Sequence, residues 1–134
     1  MSFTSYYMTF ESGTQAKFEV KKLIEIFSPI TNEVKNDGLE LYFNSMNFSF
    51  LSADVSQKTI DCFSIERPCG FEEKFVFEFS KQVYLVLGEP DLDGLIIFNN
   101  ITLQHLPIDL KNENQFYLID DLEKFKNRFI IFPY

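Results

Sequence analysis

Seventeen of the 134 residues are phenylalanine, while tryptophan is absent and histidine occurs once. Phenylalanine is a large apolar wedge with no donor, acceptor or titratable group. A chain weighted this way invests in a core or a contact surface. It has little with which to move protons, hold metal or cradle phosphate. A length of 134 residues suits one domain spanning residues 1–134. Such a domain buries roughly two-thirds of its unfolded surface and needs no metal or disulfide staple.

Charge narrows the partners. Twenty Asp and Glu against twelve Lys and Arg leave a net charge of −8. That field repels nucleic acid and anionic lipid and steers a basic partner inward. No run approaches the roughly 20 apolar residues of a membrane span. The first residues, Met1-Ser2-Phe3-Thr4-Ser5-Tyr6-Tyr7, carry neither the basic nor the apolar part of a secretory signal, so the expected location is the cytoplasm. Cys62 and Cys69 are then expected as free thiols.

Patterning predicts an α+β domain with a mainly antiparallel sheet of about six to eight strands, a helix after the first strand and a short C-terminal helix. Residues 2–10 mix Ser, Thr, Tyr and Phe and predict the first strand. Ser12-x-x-Gln15 has the form of a capping box, and Ala16, Val20, Leu23, Ile24 and Phe27 follow at helical spacing. Together they predict a helix over 14–27, stopped by Ser28-Pro29. Leu39, Leu41 and Phe43, then Met46, Phe48 and Phe50, alternate with other residues as in two strands joined at Asn44-Ser45. Residues 59–66 predict another strand. Phe75, Phe77 and Phe79 alternate like a strand, while Phe71, Phe75 and Phe79 repeat like a helix; aromatic density favours the strand. Residues 83–87 predict a central strand, and 95–98, 101–106 and 115–119 further strands. The stretch 107–114 reads as a loop. Asp120-Asp121 open a short helix, and 129–134 form an apolar tail.

Motifs that carry chemistry are few. Glu89, Asp91, Asp93 and Gly94 match the start of a calcium loop, but Asn100 stands where a bidentate Glu is needed, so the stretch reads as an acidic turn. His105 has no nucleophile or orienting partner in the pattern and reads as a structural or surface residue. No metal, cofactor or catalytic residue is expected. Glu72 and Glu73 read as a solvated turn face, and Asp120 and Asp121 as a helix cap; the same acids would serve as a contact patch for a basic protein.

This profile, a small, acidic, single α+β domain without catalytic signatures, resembles the immunity proteins of bacterial toxin systems. The resemblance covers size and composition. It implies stoichiometric binding and neutralisation of a basic toxin such as a nuclease, and it brings no site residues with it. On that expectation Glu72, Glu73, Asp120 and Asp121 would speed encounter, and Tyr6, Tyr7 and Tyr117 would anchor the contact. The competing readings are a module for a small apolar ligand, its pocket lined by Phe, and a subunit of a homo-oligomer.

Overall fold

A computed structural model describes residues 4–128. The expected α+β architecture is present. The described strands are β1 (Thr4–Glu11), β2 (Thr14–Gln15), β3 (Phe18–Glu19), β4 (Thr31–Lys35), β5 (Gly38–Asn44), β6 (Asn47–Ser52), β7 (Thr59–Ile60), β8 (Cys62–Glu66), β9 (Tyr84–Gly88), β10 (Leu95–Ile97) and β11 (Phe116–Leu118). The helices are α1 (Val20–Phe27), α2 (Glu73–Ser80), α3 (Ile108–Glu113) and α4 (Leu122–Lys126), with 3-10 turns at Ser28–Ile30 and Asn100–His105. The main sheet runs β11-β10-β9-β1-β8-β6-β5-β4, and β2 pairs with β1 beside this path. All its pairings are antiparallel except β10 with β11.

Alternation along β1 decides which residues meet which layer, because successive strand side chains point to opposite faces. Ser5, Tyr7 and Thr9 are buried on the back face. The same back face carries Leu39, Leu41, Leu51, Phe63, Ile65, Leu85, Leu87 and Ile96, and it forms the large core with Leu23 and Phe27 of α1, Val76 and Phe79 of α2 and Phe125 of α4. On the front face Phe10, Val86, Ile97 and Leu106 form a second, smaller core, with Leu103 and Leu110 packed over it. The segment 100–113 therefore covers the front only at the β9–β11 end.

Several local expectations change. Ser12 and Gly13 both have positive φ (53° and 86°) and form the tight two-residue turn between β1 and β2, so the capping-box reading gives way and α1 begins only at Val20. The segment 71–79 is not a strand. Glu73–Ser80 is helical, and its three phenylalanines each go to different neighbours. Phe75 meets Phe27, Phe77 meets Phe98, and Phe79 meets Phe18 and Phe63. Where 101–106 was expected as a strand, Asn100–His105 forms a 3-10 turn, started by the Asn99 side chain, which accepts from the Ile101 N–H at 2.8 Å. Most of the expected loop 107–114 is α3, and the polar stretch 31–35 is edge strand β4. The expected strand 59–66 is divided at Asp61 into β7 and β8. The apolar tail 129–134 lies outside the described residues.

Gly38 opens β5 where the backbone of β6 passes closest. A Cβ there would lie 2.0 Å from the Leu51 carbonyl oxygen and 2.8 Å from the Phe50 ring. Gly38→Ala should therefore cost about 1–3 kcal/mol by forcing the β5–β6 pair apart, read as a lowered urea midpoint. An unchanged midpoint would show that the two strands are not held at this spacing.

Candidate functional site

The half of the front face that no described element covers is the candidate site. Cross-strand register places Ser52, Ser64, Tyr6 and Gly88 in one row and Cys62, Met8 and Val86 in the next. The connection after β6 folds up beside this surface. It is tied to the turn before β5 by the Ala53 N–H, which donates to the Asp37 carbonyl at 3.0 Å. The result is an open trough of about 1120 Å³. Tyr6, 57% exposed, and Met8 supply apolar floor. Asp37 and Asp54 stand exposed among the lining residues, which include no Lys or Arg. Asp54 is held by the Ser56 N–H, which donates to it at 3.2 Å.

The sheet continues past the trough into a smaller groove of about 370 Å³ over β5 and β6. Tyr42, Phe48 and Phe50 form its aromatic floor, and Glu40, Glu66 and Arg67 its polar border. The Arg67 guanidinium lies 4.8 Å from the centre of the Phe48 ring, a cation–π contact. Lys35, 2.7 Å from Glu40, and Asn32 hold the Glu40 carboxyl below its ordinary range. Tyr42, Phe43, Met46 and Phe48 make the β5–β6 hairpin the most densely apolar exposed segment among the described residues.

Burial, then Asp61 beside it, pushes the Cys62 thiol up, away from the thiolate that a nucleophile requires. His105 lies elsewhere, stacked on Tyr84 at 3.8 Å between ring centres. Its Nδ1 accepts from the Ser12 N–H at 3.0 Å, and its carbonyl accepts from the Gly13 N–H. It ties the β1–β2 turn to the 3-10 segment. Cys62 and Cys69 are exposed free thiols, and no group of three His, Cys, Asp or Glu among the described residues is arranged to hold a metal. No described helix is long and apolar enough to cross a membrane.

The seven residues expected to make the contact do not form one patch. Of the seven, Tyr6 and Tyr7 line the trough, and only Tyr6 is exposed there. Tyr7, its neighbour, necessarily points to the other face, where it is buried and stacked on Phe63 at 4.7 Å. Glu72 and Glu73 are buried rather than a solvated turn face, because the loop before α2 turns them inward toward Arg128. Tyr117, half-buried on edge strand β11, donates to Asp93 Oδ1 at 2.8 Å. Asp121 caps α4 by accepting from the Lys124 N–H at 2.8 Å, and Asp120 pairs with Lys124 Nζ at 2.9 Å. Both are exposed, as a helix start requires. Glu89, the first place of the calcium-like stretch, also turns inward, accepting from the Ser5 hydroxyl and from Arg128.

Asp37 and Asp54 lie in connections, Asp37 in the Asn36-Asp37-Gly38 turn between β4 and β5, where Asp is an ordinary turn residue that does not by itself mark a site. The signal that was present is the alternation of β1. It requires Tyr6 and Tyr7 to part, and it pairs Tyr6 with Met8 on one face. No protein-family model, no curated protein and no solved structure matches this chain.

Proposed function

We propose that the domain is a non-catalytic binding module that seats a protein more basic than itself on the uncovered sheet face and neutralises it stoichiometrically, as an immunity-type inhibitor of a basic toxin in a bacterial cytoplasm. The observation that carries the reading is the trough: an apolar floor at Tyr6 and Met8, two exposed carboxylates at Asp37 and Asp54, and no cation in the lining. An arginine or lysine has the matching form, an apolar stem under a charged head. The chain's net charge of −8 acts in the same sense over longer range.

The test is association with a captured basic partner, measured with purified components. Raising ionic strength from about 0.05 to 0.5 M should slow association about tenfold, because screening shortens the reach of the field. Reversing Asp37 and Asp54 to Lys should slow it further, with the larger effect on the on-rate. Tyr6→Ala should instead speed dissociation, with a loss of about 2 kcal/mol as expected for a central aromatic anchor. A partner whose binding is indifferent to salt and to all three positions would remove the trough from consideration. Saturable binding of a small apolar probe that protects Tyr6 and Met8, with no protein bound there, would favour the apolar-ligand reading.

A further inference from the structure

A cluster of charged side chains lies under the opposite face, where α2, α4, β1 and the end of β9 meet. Arg128 is 3% exposed. Its Nε donates to Glu89 Oε1 at 2.6 Å and its Nη2 to Glu89 Oε2 at 3.0 Å, a two-pronged contact. Its Nη1 donates to Glu73 Oε2 and to the Phe125 carbonyl at 2.9 Å. The Ser5 hydroxyl of β1 donates to Glu89 Oε2 at 3.1 Å. Glu72 completes the group at 2% exposure. One of its oxygens accepts from the Gly70 N–H at 3.2 Å, while Oε2 is buried without any hydrogen-bond partner.

The charges of this group do not balance. Three buried carboxyls, Glu72, Glu73 and Glu89, face one guanidinium among the described residues. Ionising all three would leave two negative charges uncompensated where water cannot reach them, which is far costlier than keeping a carboxyl neutral. Asp91, near Glu89, adds to the repulsion, and the Tyr7 phenol on β1 is neutral. Glu73 and Glu89 have the guanidinium in contact, whereas the second oxygen of Glu72 has no donor.

We propose that this cluster holds one proton in neutral solution, seated chiefly on Glu72, and thereby works as a proton-linked clamp joining α2, α4 and the sheet. The clamp is tightest in mildly acidic solution and loosens toward alkaline pH. Burial acts in the same direction on both carboxyls: it pushes Glu72 above its ordinary value of 4.5, and Glu89 up to about 7. At Glu89 the two-pronged Arg128 contact, 2.6 and 3.0 Å, favours the ionised form, so the proton settles on Glu72, whose Oε2 has no donor. The sign follows from linkage. A carboxyl whose folded-state value is raised costs the fold nothing below its unfolded value. Its cost grows as pH rises from there to the folded value and then stays constant.

The experiment compares the full chain with Glu72→Gln, which keeps the shape and removes the charge. The ratio of wild-type to variant unfolding constants, from urea titrations, should rise at least about fiftyfold between pH 5 and pH 8, since a carboxyl still protonated in neutral solution when folded but ionised when unfolded contributes close to tenfold per pH unit until it titrates. A ratio that stays flat over that interval overturns the clamp. A wild-type measurement stands beside it in case the variant does not fold. Carboxyl carbon spectra of glutamate-labelled protein should show one side chain still protonated at pH 6. Full ionisation of every glutamate at that pH overturns the proposal as well.

Discussion

Arg128→Met should lower stability by about 3–5 kcal/mol near pH 7, the cost of leaving buried charge without its partner. The contact differs in kind from the other ion pairs of the domain. Lys81 with Glu78 and Lys124 with Asp120 stand half-exposed, where solvent screening leaves them little to contribute. Arg128 instead meets Glu89 and Glu73 with all three side chains nearly inaccessible. It also donates to the last turn of α4 through the Phe125 carbonyl. Removing it strands two carboxylates beside Glu72 and unties α4 from the end of β9. The deficit should shrink as the solution is acidified, because the stranded carboxyls can then take up protons. Urea unfolding at pH 7 and pH 5 measures both effects. A loss below about 1 kcal/mol at pH 7 would mean that the guanidinium does not compensate these acids.

Legibility in the sequence followed how many readings a local pattern allows. The β5–β6 hairpin was legible because the alternation through Leu39, Leu41 and Phe43 and through Met46, Phe48 and Phe50 has one period. Its Asn44 carboxamide oxygen, accepting from the Met46 and Asn47 N–H groups at 2.9 Å, marks the turn in the expected place. The stretch 71–79 was misread because its phenylalanines satisfy periods of two and four at once. Tertiary packing decided for the helix by giving Phe75, Phe77 and Phe79 separate partners around it. The start of α1 was misplaced because Ser12 serves two local roles equally well, helix cap or positive-φ turn. The pairing of β2 with β1 selects the second. The candidate site was the least legible part. Glu72 and Glu73 look like solvent-facing acids in any local window. Arg128, 55 residues beyond Glu73, donates to Glu73 in the interior, and no local window shows that pairing. Asp37 and Asp54 are joined to Tyr6 only by strand order, which period and composition do not encode.

Phe79→Ala should cost about 3–5 kcal/mol, the usual range for removing a fully buried phenylalanine. Phe79 has no accessible surface and sits at the crossing of helix and sheet. Its ring meets Phe18 edge-on at 4.9 Å and Phe63 at 5.6 Å, and Phe63 is itself stacked on Tyr7. The ring therefore joins α2, β3, β8 and β1 in one aromatic chain, and truncation leaves a cavity that these strands cannot collapse to fill. Phe43 provides the internal comparison. It is 64% exposed at the hairpin, so Phe43→Ala should change stability by no more than about 0.5 kcal/mol. The contrast also separates the two uses of phenylalanine in this chain. Loss of Phe79 acts on the fold and should lower the urea midpoint whether or not a partner is present. Loss of Phe43 should leave the midpoint in place. A midpoint shift of similar size for both variants would mean that the helix over 73–80 does not present Phe79 to the sheet.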